Sequence, residues 1–62
     1  MKFIIKLGRT GPGDLGGSWE AWCPDEYELT GTHYGDTRDQ ALGNITEHIE
    51  NRWDDAVVEV VE

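Results

Sequence analysis

The chain has 62 residues, with 13 acidic and five basic side chains, and its formal net charge is -8. A chain of this length forms one domain, so residues 1–62 are expected to fold as a single unit. The excess of negative charge repels nucleic-acid phosphates and anionic membranes, which disfavours direct binding to either. The same charge favours a partner with a basic surface.

The single cysteine excludes an internal disulfide, and with two histidines it is too few for a four-ligand zinc site unless carboxylates join. No apolar run approaches the roughly 20 residues that a membrane-spanning helix needs, and the start of the chain is too short for a signal peptide. We therefore expect a cytoplasmic protein without metal or cofactor. A domain this small buries only about 60% of its unfolded surface. Self-association, most simply as a homodimer, is the expected source of further stability.

The first predicted element is a strand over residues 2–7, which are rich in β-forming side chains. Alternation puts Phe3, Ile5 and Leu7 on one face and Ile4 on the other. Residues 8–17 carry five glycines and a proline, which predicts a hairpin loop. The glycines lack the spacing of a phosphate-binding loop.

A second strand is predicted over residues 18–23, and it ends at Pro24 because proline cannot donate to a strand ladder. Trp19, Ala21 and Cys23 share one face of it, whereas Trp22 lies on the other. Residues 25–28 form an acidic turn in this interpretation. Residues 29–34 then form a third strand, weakened by Gly31.

The pattern around Thr37 predicts a capped amphipathic helix. Thr37 and Gln40 have the spacing of a capping box, in which the hydroxyl and the amide each satisfy a free N–H group of the first turn. Asp54 and Asp55 are unfavourable at the negative end of a helix, so we expect the helix to end near Asp54. The apolar residues that follow a 3.6-residue period are Leu42, Ile45, Ile49, Trp53 and Ala56.

Residues 56–61 are rich in β-branched side chains and predict a fourth strand, the alternative being a helix that continues to the C-terminus. The fold class is therefore α+β with the order βββαβ. Three strands form an antiparallel meander, one helix packs on one face, and the last strand lies parallel to the first.

One helix covers only one face of such a sheet, so the other face is open to a second copy or a partner. We predict self-association there, because tryptophan and branched aliphatic side chains often form interface centres. The alternative is that Trp22 lies flat on the sheet beside the lysines. The residues assigned to the self-association surface are Ile4, Trp22, Val58 and Val60.

Catalytic interpretations are weak. Asp14, Asp25, Asp36 and Glu50 are carboxylates of the kind that hold two metal ions in nucleases, but the first strand supplies none and Asp36 suits the helix terminus. Cys23 with His33 or His48 is a conceivable nucleophile and base, but a lone cysteine alternating with apolar residues is more often buried. We expect no enzyme activity.

Several short motifs occur in a characteristic order, and together they resemble the HicB-like antitoxin domain over residues 1–53. That family has an aromatic-x-Ala-x-Cys-Pro-Asp strand end, then Gly-Asp-Thr opening a helix that reads roughly Glu-Ala-Leu-x-Asn-Ile. The matching segments here are Trp19-Glu20-Ala21-Trp22-Cys23-Pro24-Asp25, Gly35-Asp36-Thr37, Ala41-Leu42 and Asn44-Ile45.

The resemblance implies a partial ribonuclease H-like fold without nuclease activity, and an antitoxin-like role in binding a small basic ribonuclease toxin. Some members meet the toxin near the loop after Pro-Asp, where this chain replaces the usual Leu-Pro-Gly by Glu26-Tyr27-Glu28. The implied partner-binding residues are Asp25, Glu26, Tyr27 and Glu28. No DNA-binding segment is expected after Glu62. The alternative function is a small-molecule or metal-binding regulatory module.

Overall fold

A computed structural model describes residues 1–10 and 19–61 of the chain. Its elements, in chain order, are β1 (Lys2–Arg9), β2 (Trp19–Trp22), α1 (Tyr27–Thr30), β3 (His33–Gly35), α2 (Arg38–Arg52) and β4 (Val57–Val61). The four strands form one sheet in the order β3-β2-β1-β4. The antiparallel meander of β1, β2 and β3 and the parallel pairing of β1 with β4 confirm the predicted α+β layout. Most of the predicted hairpin loop, including Asp14, lies outside the described residues.

The start of α2 has the predicted cap with one difference. The Thr37 hydroxyl accepts a hydrogen bond from the Gln40 backbone N–H at 3.1 Å. The Gln40 side-chain carbonyl accepts from the N–H of Asp36 at 2.8 Å, one residue before the cap, rather than from Thr37 itself. The helix ends at Arg52, where the N–H of Trp53 still donates to the carbonyl of Ile49. The predicted end near Asp54 is therefore confirmed.

The core lies between α2 and the facing side of the sheet. Its fully buried apolar side chains are Phe3, Ile5, Ala21, Cys23, Ala41, Ile45 and Ile49. Of these, Ala41 was not part of the predicted stripe, and it lies where the first turn of α2 passes directly over β3. A Cβ atom on Gly35 would lie 2.5 Å from the backbone nitrogen of Ala41, so only glycine permits this contact.

The predicted third strand is wrong in its first half. Residues from Tyr27 to Thr30 form the single helical turn α1, and β3 is only three residues long. The backbone N–H groups of Leu29 and Thr30 both donate to the carbonyl of Glu26. Gly31 then ends the turn with a φ of 67°, a conformation that favours glycine. Local hydrogen bonding thus prevails over the strand propensity of this segment.

The predicted arrangement of β4 is also wrong in one respect. Val58 is paired with Phe3 and Val60 with Ile5, so both valines lie on the helix side of the sheet, where Val58 packs against the core. Ile4 and Trp22 lie on the opposite side, so the four residues assigned to self-association do not share a face. On that opposite side β4 presents Val57, Glu59 and Val61.

No helix within residues 1–10 and 19–61 is long and apolar enough to cross a membrane.

Candidate protein-binding site

Residues 24–29 follow β2, and we call them the segment. The two residues that flank the segment, Cys23 and Thr30, have small side chains that are buried in the protein. Cys23 is fully buried, and its backbone carbonyl accepts a hydrogen bond from the N–H of Glu26 at 3.2 Å. Thr30 is 4% exposed, and its hydroxyl donates to the carbonyl of Glu26 at 3.2 Å. The Thr30 side chain lies beside the Cys23 thiol. The two ends of the segment are therefore tied together beneath it.

This environment keeps the Cys23 thiol protonated. Burial raises the pKa of the thiol above its ordinary value of 9.0, and the nearby Glu26 carboxylate raises it further, against the opposing effect of the Thr30 hydrogen bond. The side chains that influence the thiol are thus those of Thr30 and Glu26, and no histidine is among them. A reactive cysteine needs the opposite environment, one that stabilises the thiolate. Cys23 is suited to packing rather than to nucleophilic attack.

Above these anchors, the segment forms a shallow hollow of about 700 Å³ on the protein surface. Tyr27 is 53% exposed and Leu29 is 51% exposed, so the hollow presents two large apolar side chains to solvent. The Tyr27 hydroxyl accepts a hydrogen bond from the Thr32 hydroxyl at 3.1 Å, which restricts its ring. The lining residues are Pro24, Asp25, Glu26, Tyr27, Glu28 and Leu29.

The charge of the hollow is entirely negative. Asp25 and Glu28 are exposed, Glu26 is half-buried, and the lining contains no basic side chain. The ion pairs of the described residues link the N-terminus to Asp55, Lys2 to Glu59 and Arg38 to Asp39. None of these pairs uses a carboxylate of the hollow. The hollow therefore contains all four residues that the resemblance assigns to partner binding. The three carboxylates among them are not neutralised by these ion pairs.

Of the carboxylates considered for a metal site, Asp25, Asp36 and Glu50 are described, and they belong to different parts of the fold. Within residues 1–10 and 19–61, no group of three or more His, Cys, Asp or Glu side chains is arranged to hold a metal ion. Asp36 contributes its backbone N–H to the cap of α2. Asp25 lines the hollow, and Glu50 is an exposed residue of α2.

The side chains of the two histidines are in contact, and the sequence did not predict this contact. The ring of His33 on β3 lies 4.8 Å from the ring of His48 on α2, centroid to centroid. The Nε2 of His33 lies 2.9 Å from the carbonyl of Thr30 and donates to it, since a carbonyl only accepts. The Nε2 of His48 is buried without a partner. No sequence signal could find this pair, because residues 33 and 48 belong to different elements.

The sheet side opposite α2 forms a second surface, which we call the open face. On it the six-membered ring of Trp22 lies over Gly8, where an added Cβ would be 3.2 Å from the ring. The Trp22 ring therefore lies along the sheet rather than projecting from it. This orientation agrees with the alternative to the self-association prediction, a tryptophan lying flat on the sheet, and the ring lies over Gly8. By strand alternation the described residues of the open face are Lys2, Ile4, Lys6, Gly8, Glu20, Trp22, Tyr34, Val57, Glu59 and Val61.

Comparison of the chain with protein-family models, with curated proteins and with solved structures finds no match. What can be stated of its class therefore comes from its own geometry. Within the described residues it is a small α+β domain with an acidic hollow between β2 and β3 in the chain and a sheet face opposite α2 that no described helix covers.

Proposed function

We propose that this protein is a non-enzymatic, antitoxin-like binding module whose partner is a small basic protein such as a ribonuclease toxin. The observation that carries the proposal is the hollow over residues 24–29, in which unneutralised carboxylates surround two exposed apolar side chains. The resemblance to HicB-like domains supports the same segment, because some members of that family meet their toxin near it. Binding occurs in the cytoplasm in this proposal.

The composition of the hollow fits a basic protein better than a small anion or a nucleic acid. Its three carboxylates attract arginine and lysine side chains, whereas phosphate groups are repelled. Complementary charge raises the rate of encounter and excludes wrong partners. Binding energy, in contrast, is concentrated in a few well-packed anchors, among which tyrosine is enriched. Tyr27 is the residue of the hollow that fits this role.

The anchors beneath the hollow make it a prearranged surface. Because Cys23, Thr30 and the Thr32 hydroxyl restrain the segment, little of it has to become ordered on binding. A restrained surface loses less conformational entropy when a partner binds, which favours affinity. The protonated and buried thiol of Cys23 is consistent with a role that involves no covalent chemistry.

The test is capture of partners from cells that make this protein, followed by mass spectrometry. We expect the wild type to retain a short basic protein at low salt and to retain less of it at high salt. The double variant Tyr27→Ala/Glu28→Lys should lose most of this capture. Glu50→Lys is the matched control, because it makes the same charge change on exposed α2 and should capture normally.

Two results would contradict the proposal. One is equal capture by the wild type and by Tyr27→Ala/Glu28→Lys. The other is a purified protein that carries a stoichiometric metal ion or small molecule and no protein partner, which would support the regulatory alternative. Self-association is the second part of the proposed function.

A further inference from the structure

We infer that the open face is the interface of a homodimer, in which a second copy of this chain covers the open face of the first. The inference rests on the proposed function, of which self-association is a part, and it assigns the surface and the occupant. The apolar residues that the second copy would cover are Ile4, Trp22, Tyr34, Val57 and Val61.

Apolar side chains of the open face occur on all four strands, interspersed with the charged residues that pair with them. Ile4 and Trp22 are half-buried in the centre, on β1 and β2. At the two edges Tyr34 is 55% exposed, Val57 is 60% exposed and Val61 is 42% exposed. Aromatic side chains such as Trp22 and Tyr34 are enriched in interfaces.

The charge of the open face indicates which partner covers it. Lys2 and Lys6, the only lysines of the chain, both lie there and balance Glu20 and Glu59. Lys2 and Glu59 are already paired, with 3.0 Å between Nζ and Oε2. The chain as a whole carries a net charge of -8, so this neutral face is where two such chains can approach without strong repulsion. A basic partner gains most from the acidic hollow instead.

Trp22 contributes shape as well as area. Since its ring lies over Gly8, the centre of the open face is level enough for another sheet to pack against it. Gly8 has no side chain that would lift the ring away from the strands. A symmetric dimer uses the same patch on both copies, and a level, charge-balanced face is self-complementary in this sense.

The experiment is sedimentation equilibrium of the full chain over a wide concentration range. The wild type should be dimeric, and Val57→Glu should weaken the dimer by about tenfold or more, because it replaces an exposed apolar side chain of the face by a carboxylate and upsets the charge balance beside Lys2. Lys2→Glu tests the charge balance at an exposed site without removing apolar area, and should also weaken the dimer. Asn51→Glu adds the same type of charge on exposed α2, and its dimer should match the wild type.

The inference is overturned if the wild type is monomeric throughout, or if Val57→Glu and Lys2→Glu both dimerise as the wild type does. Circular dichroism of each variant verifies that it is folded. The failures of the two proposals are separable, because the Val57→Glu monomer retains the whole acidic hollow. If this monomer still captures the basic protein, partner binding does not depend on the dimer. A dimer that captures nothing contradicts the proposed function alone.

Discussion

Cys23 and Thr30 show how two small buried side chains position a functional surface. They lie next to each other under the acidic hollow, and each forms a hydrogen bond with the backbone of Glu26. Cys23 was predicted to be buried from its alternation with Ala21 and Trp19, and it is. The role of Thr30 was not predictable, because its position depends on the helical turn α1, which the sequence pattern presented as a strand.

The raised pKa of Cys23 leads to a prediction about pH. In the unfolded chain the thiol ionises above its ordinary pKa of 9.0, whereas burial keeps it protonated in the folded protein. The unfolded state therefore binds fewer protons in this range, and stability falls as pH rises. We expect the stability advantage of the wild type over Cys23→Ala to be full below pH 9.0 and to shrink above it.

The measurement is urea denaturation of both proteins at several pH values from neutral to alkaline. Cys23→Ala should be less stable than the wild type at every pH because it loses packing. The informative quantity is therefore how the difference in free energy of unfolding between the two proteins changes with pH. Other groups titrate in both proteins alike and cancel in that difference. A constant difference across the range would contradict the assignment of Cys23 as a buried, protonated thiol.

At the scale of elements, the contact between α2 and β3 decides how closely the helix lies on the sheet. Asn44 adds to this contact by donating from Nδ2 to the carbonyl of Tyr34 at 2.7 Å. The sequence predicted the cap, the apolar stripe and the end of α2, since these depend on residues three or four apart. It did not predict that Gly35 must be glycine, because the residue that excludes a side chain there belongs to a different element.

Two glycine-to-alanine substitutions separate the close contact between α2 and β3 from the local helix propensity of α2, because both make the same chemical change. Gly35→Ala should destabilise the protein by about 1–3 kcal/mol, because the new methyl group meets the backbone of Ala41. Gly43→Ala should stabilise it by about 1 kcal/mol, because Gly43 is an exposed position inside α2 where alanine favours the helix. Apart from its chain neighbours and the backbone of α2 itself, no atom of the described residues lies within 4 Å of a Cβ placed on Gly43.

Thermal or urea denaturation of the two single variants gives both values. If the two substitutions have effects of the same sign, α2 does not approach β3 at Gly35 as closely as described.

At the scale of the whole molecule, the net charge of -8 steers the approach of partners. The same charge also opposes folding, because like charges repel one another in the compact state. The described ion pairs involve exposed side chains and offset little of that repulsion. We therefore expect the melting temperature to rise as salt is added. The range that tests this is about 0.01 to 1 M ionic strength, over which the Debye length falls from about 30 to about 3 Å.

Differential scanning calorimetry at several sodium chloride concentrations measures the effect. The protein concentration should be held constant, because dimer formation also raises the melting temperature. A melting temperature that falls with added salt would show that attractive charge pairs outweigh the repulsion. Asp54→Asn, which removes one exposed charge near the end of α2, should melt at a higher temperature and depend less on salt.

The sequence by itself determined the α+β class, the order of the four strands and the main helix, and the capped start of α2. These features follow from neighbouring residues, because helical and strand periods and caps are set within a few positions of the chain. Only the tertiary structure decided which valines of β4 face the helix, how His33 meets His48, and that a helical turn replaces half of the third strand. The faces of β4 and the histidine contact depend on register and close approach between residues far apart in sequence. The helical turn is local, but its buried anchors, Cys23 and Thr30, are defined only by packing.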